Sequence, residues 1–354
     1  MVGSDARPAL GGYSATVAQG KLLALVAPDG NACRSIADAM SGFERPRHGR
    51  ILIDGKDVAL RRPGERGVMS VRTELALFPH FSAFANIAFP LEQRRLDVNE
   101  IGRRVEQVAA DVGIPHEALA KLPAALSPEI RLRVALARAL VAEPEVLILE
   151  RPLNALPLPL RRSLLPELRR LQRRFAITTL LVSDDLGEAM TLSDSMSVVI
   201  DGSEVQSGSA DQIYARPVSV AIARLAGPCN LIPVDVDTRD GKTVLIGTAL
   251  RGGTAALPRE RTPIGIESGP ALMLVRPLAV RLFLGIRRFD ILVDGTIADV
   301  MPEANGARIR VTPESFPQDL LADIPLPAPT PLEPGRAVTL GWNRGDIFLL
   351  PVTG

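Results

Sequence analysis

Val146-Leu147-Ile148-Leu149 is closed by Glu150, Arg151 and Pro152. A short apolar run ending in a charge is the form of a buried parallel strand that delivers a side chain to the carboxyl edge of its sheet, where open α/β sheets bind ligands. Two other segments share that form. KLLALVAPD, residues 21–29, reads as a buried strand entering a turn, followed by a helix-like stretch from Ser35 through Met40. ITTLLVSDDLGEAM, residues 177–190, is a buried strand that reaches its helix through Asp184-Asp185. Strand, tight loop and helix is the layout in which backbone N–H groups and a lysine hold phosphates while a Ser or Thr hydroxyl holds Mg²⁺. Taken alone, the turn at 27–35 would not be called a nucleotide site and reads as a plain βα connection.

The elements that must position these residues follow from periodicity and breakers. Leu132, Leu136 and Leu140 predict an amphipathic helix from Glu129 to Val141, ended by Glu143-Pro144. Residues 99–119 form a charged helical pattern, and GRILIDGKDV, residues 49–58, reads as a hairpin strand bounded by glycines. LPLRRSLLPELRRLQRRF carries Pro166 well inside a helical pattern, where it should kink the helix or cost ~3 kcal/mol. From about Gly227 the texture changes to short alternating strands with Gly and Pro turns, which suggests a small all-β barrel.

At 354 residues the chain is long enough for two domains or three. Its 46% hydrophobic and 23% charged residues are a globular composition. Lys+Arg 41 against Asp+Glu 40 leaves a formal charge of +1, so no overall basic field points to nucleic acid or a lipid surface. Nor is there a basic-aromatic platform for single strands in the β region. Cys33 and Cys229 are too few for a disulfide framework and form no metal-type cluster, which fits a reducing cytoplasm. No run approaches the ~18 apolar residues that span a bilayer, so membrane association is expected only through a partner subunit.

The stretch ALARALVAEPEVLILERPLNAL, residues 135–156, resembles the part of ABC-transporter ATPases that joins the signature helix to the Walker B strand and the D-loop. The resemblance is to ATPase subunits of bacterial importers for sugars, iron and polyamines, and it extends over roughly residues 9–351. It implies an α/β P-loop NTPase domain over 1–228, with a helical subdomain at about 80–140, and an OB-like TOBE regulatory domain over 229–354. It also implies ATP and Mg²⁺ as ligands. The partners it implies are permease subunits in the inner membrane and a homologous ATPase subunit, with this chain peripheral on the cytoplasmic face. ALFPHFSAFANIAFPL, residues 76–91, is similar to the surface that receives the permease coupling helix.

Carried over position by position, the resemblance places altered residues at the chemistry. The phosphate loop falls on Ala27 to Ser35 and keeps Pro28, Gly30 and Ser35; Asn31 and Ala32 follow Gly30, the lysine is Cys33 and the Mg²⁺ hydroxyl position is Arg34. A slip of one residue would instead put Arg34 in the lysine role and Ser35 in the Mg²⁺ role. The Q-loop glutamine is Thr73, and the signature reads Leu126-Ser127-Pro128-Glu129-Ile130, in which Pro128 has no N–H to offer. Glu150 takes the Walker B place, Arg151 that of the catalytic glutamate, Pro157 that of the D-loop aspartate and Asp184 that of the switch histidine. No aromatic residue precedes the loop where one stacks on adenine; Tyr13 lies just before the strand. Weak binding of Mg·ATP and little hydrolysis are expected. The readings that follow are an impaired importer subunit paired with an intact partner, an ATPase using Arg34, Ser35 and Glu150 in shifted roles, and a regulatory binding module outside transport.

Overall fold

The computed structural model describes residues 12–28, 31–237, 243–246, 254–257, 268–283, 289–303, 306–328 and 330–352, without the side chains of 31–33, 243–246 and 254–255. Two compact units make up the chain, Met1–Ala210 and Asp211–Gly354.

In the first unit the strands are β1 (Leu22–Val26), β2 (Leu52–Ile53), β3 (Lys56–Asp57), β4 (Val68–Arg72), β5 (Val146–Glu150), β6 (Thr178–Ser183), β7 (Ser195–Ile200) and β8 (Ser203–Gly208). Six of them form one sheet in the order β4-β5-β6-β1-β7-β8. Its first five strands run parallel, and β8 is antiparallel to β7. Every residue of β1 and β5 is buried, as a parallel sheet covered on both faces requires. Register puts Arg72 beside Glu150, Glu150 beside Val182, and Val26 beside Ser183. Four strands therefore end together at one edge.

The helices are α1 (Asn31–Ser41), α2 (Ala83–Gln93), α3 (Val98–Asp111), α4 (Pro128–Leu140), α5 (Leu158–Phe175) and α6 (Leu186–Leu192). Ser82 and Asp97 cap α2 and α3 by accepting hydrogen bonds from first-turn N–H groups. The expected hairpin at 49–58 is short, β2 and β3 joined through Asp54 and Gly55, both at positive φ (47° and 74°) as the favoured two-residue turns require. Pro166 does not end α5, which is one continuous helix. Pro166 and Arg162 are both exposed. The carbonyl that loses its i+4 donor thus belongs to the solvent-facing side, where it is open to water.

The second unit begins with α7 (Ala210–Ala215) and α8 (Val220–Leu225). Its strands are β9 (Asn230–Asp237), β10 (Thr243–Ile246), β11 (Thr254–Leu257), β12 (Gly269–Val275), β13 (Arg281–Leu282), β14 (Ile291–Glu303), β15 (Gly306–Pro313), β16 (Leu320–Pro325), β17 (Ala337–Trp342) and β18 (Ile347–Pro351). Among the described residues they form two antiparallel five-stranded sheets, β11-β10-β9-β12-β18 and β13-β17-β14-β15-β16. Both sheets turn their apolar faces to one core that includes Ile232, Met273, Ile309, Leu340, Trp342 and Leu349. Arg276, almost fully buried, ties the two helices to this core. Its guanidinium donates to the carbonyls of Tyr214, Ala223, Gly227 and Pro228 at 2.9–3.3 Å and lies 4.2 Å from the Tyr214 ring centroid. Burial pushes its pKa down, yet the carbonyl dipoles at the end of α8 keep a cation acceptable there.

Candidate functional site

The carboxyl edge of the parallel sheet gathers charge. Glu150 ends β5 with its side chain only 4% exposed, and two guanidinium groups approach it: Arg34 from α1, Nε to Oε1 3.8 Å, and Arg72 from the end of β4, Nε to Oε2 3.5 Å. These are ion pairs too long for hydrogen bonds; Oε2 has no hydrogen-bond partner. Arg72 also pairs with Asp38 of α1 and lies 5.2 Å from the Phe43 ring centroid. Arg34 is half exposed, so its fork reaches solvent from the mouth of the edge.

Arg151, at φ +44°, leaves the strand in the left-handed region, its N–H donating to the Val182 carbonyl at 2.8 Å. Its Nη1 stands 3.5 Å from Oδ2 of Asp184, whose Oδ1 accepts from Asn154 Nδ2 at 3.4 Å. Thr73 turns its hydroxyl inward to the carbonyls of Glu150 and Arg151, at 3.3 and 3.1 Å. Asp185 caps α6 through the Glu188 N–H. Glu188 itself is buried beside Ser183, and burial with the neighbouring Asp185 and Asp184 charges pushes its pKa up to about 7, against the bonds from Ser183 and the charge of Arg161.

The structure thus brings Arg34, Thr73, Glu150, Arg151 and Asp184 together. Pro28 is exposed in the turn after β1, and Ser35 is half-buried in α1. Asp29 and Gly30, with the side chains of Asn31, Ala32 and Cys33, lie outside the described residues; the backbone of Asn31 to Cys33 is helical. Ser127, Pro128 and Glu129 stand apart as an ordinary start of α4. Ser127 accepts from the Ile130 N–H, Pro128 takes the first helical position and Glu129 pairs with Arg133 at 2.8 Å. Arg72, Asp38 and Asn154 are the site residues that sequence reading passed over. Arg72 closes VMSVR in the way Glu150 closes VLILE, and that signal could have found it.

A second feature is an aromatic cluster on the helical arm. Phe78, Phe81 and Phe89 pack with centroids 4.7–6.3 Å apart, and Phe78 and Phe81 remain more than a third exposed. Buried Asn86 fixes their loop, accepting from the Phe78 N–H and donating to the carbonyls of Phe78, Phe81 and Ser82. Arg138 donates to the carbonyls of Leu75 and Ala76, both at positive φ.

The parallel sheet with its charged edge and helical arm has counterparts. Residues 10–154 match the family described as ABC transporter. Over 269 residues the chain is 38% identical to the Fe(3+) ions import ATP-binding protein FbpC 1 of Rhizobium meliloti, covering 76% of this chain and 74% of that one. The chain belongs to the ABC importer ATP-binding subunits. It is also 36% identical over 275 residues to the spermidine/putrescine import ATP-binding protein PotA of Pseudomonas aeruginosa, covering 77% of this chain and 74% of the relative. In fold, this ABC subunit is similar to the dimeric post-hydrolysis ATP-binding cassette MJ0796 bound to ADP and Pi, at TM-score 0.53 and 19% identity over 59% of this chain and 94% of that one.

The family implies ATP with Mg²⁺, and the donors of this ABC subunit test that implication. Mg²⁺ asks for near-octahedral oxygen ligands, in phosphate loops a Ser/Thr hydroxyl and a strand carboxylate. Here the carboxylate that ends β5, Glu150, faces two guanidinium groups, the aligned hydroxyl position is Arg34, and Thr73 spends its hydroxyl on carbonyls. Among the described residues no group of three or more His, Cys, Asp or Glu could hold a metal. The donor set does not fit Mg²⁺. Tyr13 is partly buried and packs against the core that includes Leu23 and Leu25 of β1.

Proposed function

We propose that this ABC subunit serves an importer as a structural or regulatory half whose own hydrolysis is weak or absent. The Arg151–Asp184 pair carries the reading. A general base must take a proton from water, and a guanidinium stays charged at every accessible pH. Where the γ-phosphate would need positive charge, Asp184 and Asp185 offer the opposite sign. Losing one preorganised electrostatic contact typically costs about 2.7–4 kcal/mol of transition-state stabilisation. Cys33, Thr73, Pro128, Arg151 and Asp184 are all altered, and even two independent losses would leave turnover too slow to drive transport.

The aromatic cluster supports a permease-docking role, since its loop is pinned while Phe78 and Phe81 stay more than a third exposed. No helix among the described residues is long and apolar enough to cross a membrane, which supports peripheral attachment on the cytoplasmic face through that surface. Relatives named as Fe(3+) and spermidine/putrescine import proteins support a small cationic cargo. The β region takes the part of a TOBE-type regulatory domain. Head-to-tail pairing would leave two poor sites in a homodimer, so the working form is a heterodimer with an intact homologue.

Co-expression with a neighbouring intact ATPase and permease tests this reading. A complex containing all three, with this chain alone hydrolysing ATP at background, is expected. Recovery of homodimers without permease, or turnover on the order of 1 s⁻¹ by the isolated chain, would refute it, the latter in favour of the shifted roles of Arg34 and Ser35.

A further inference from the structure

The misfit to Mg²⁺ has a specific form. Both oxygens of Glu150 already face a guanidinium, Arg34 Nε at Oε1 and Arg72 Nε at Oε2. We propose that these two guanidinium groups fill the place of the divalent cation, so that the edge takes a polyphosphate as the free anion and not as its magnesium complex. This deepens the reading above and rests on its placing of the nucleotide at this edge.

Three observations carry it. Glu150 is buried and its Oε2 is without a hydrogen bond, so among the described residues its charge is met by Arg34 and by Arg72, which it shares with Asp38. A buried carboxylate without such balance is costly, which makes the pair integral to the fold of the edge. Next, a dication entering between them would meet two like charges within a few ångströms, with one carboxylate left to share. Finally, Arg34 is 52% exposed and rises from the first turn of α1, an eleven-residue helix that begins at Asn31. It can hold Glu150 through Nε while its terminal nitrogens meet phosphate oxygens two at a time, beside the N–H groups of the helix start. Arg72 is the anchored member, tied to Asp38 and facing Phe43. Asp38 and Asp184 temper the positive charge, so the affinity is modest and the selectivity is for phosphate without metal.

The test is calorimetric titration of the full chain with ATP, and separately with inorganic pyrophosphate, in excess Mg²⁺ and in EDTA. Affinities equal within about twofold in the two buffers, or tighter in EDTA, are expected. Arg34→Ser, which restores a hydroxyl and frees one side of Glu150, should weaken binding in EDTA and make it depend on Mg²⁺ by about tenfold. Arg34→Lys should keep the metal-independent behaviour. Tightening of the natural chain by about tenfold or more with Mg²⁺ overturns the proposal, as does the absence of heat with either ligand in both buffers. Failure of the importer reading would be seen instead in the co-expression and turnover measurements, which do not depend on this titration.

Discussion

Replacing Glu188 by glutamine should flatten the pH dependence of stability of the first unit. Glu188 is 6% exposed in the first turn of α6; Ser183 Oγ donates to its Oε2 at 3.1 Å, and its Oε1 has no hydrogen-bond partner. Burial first, then the nearby Asp185 and Asp184, carry its pKa from 4.5 to about 7. The folded chain therefore binds more protons than the unfolded chain between those values, and stability falls as pH rises through that window. Its contribution is fully present below pH 4.5 and lost above about 7. The gap of about 2.5 pH units, at 1.36 kcal/mol each, sets the effect at about 3 kcal/mol. The assay is urea unfolding from acidic to mildly alkaline pH, followed by far-UV circular dichroism. Trp342, the single tryptophan, reports the β region by fluorescence and serves as the internal control. The natural chain should lose about 3 kcal/mol relative to Glu188→Gln across the range, with no difference at the Trp342 transition. Parallel pH profiles for the two proteins would refute the reasoning.

Arg151→Glu should not restore hydrolysis, because a base acts only on a nucleotide already held in place; it also sets a carboxylate against Asp184, so a small loss of melting temperature should accompany background turnover. Asn86→Ala takes the acceptor from the Phe78 N–H and the side-chain donor from the Phe81 carbonyl, while the Phe78 and Ser82 carbonyls keep the N–H groups of Phe81 and Asn86. It should cost about 2–3 kcal/mol in denaturant unfolding and weaken permease recovery more than Ser82→Ala does. Arg276→Lys loses the planar fork that meets four carbonyls, and the Trp342 fluorescence midpoint should fall by about 2 kcal/mol.

Much of the scaffold is visible in the sequence because burial on both faces forces continuous apolar runs. VLIL before Glu150 and the leucine spacing of 132, 136 and 140 mark β5 and α4 to within a residue of the structure. Chemistry is harder to read, since it depends on which strands become neighbours. Arg72 lies 78 positions before Glu150 in the chain and meets it only because β4 pairs with β5. Arg151 and Asp184 read as two isolated losses, whereas in space they are one ion pair. Pro166 shows the opposite limit: helix propensity is a local penalty, and the helix runs on through it with Leu164, Leu168 and Leu171 buried.

Arg72, partly exposed at the sheet edge, and Arg276, buried in the β unit, answer differently to ionic strength. At the edge, cations face anions, so dissolved salt competes with Arg34–Glu150 and Arg151–Asp184 at their exposed sides and loosens the mouth. Arg276 faces carbonyl dipoles of neutral backbone, with no carboxylate that a counterion could replace. Raising salt therefore relaxes the edge of the first unit while leaving the hold of the β region on α7 and α8 unchanged, and a salt titration separates the two halves without any mutation.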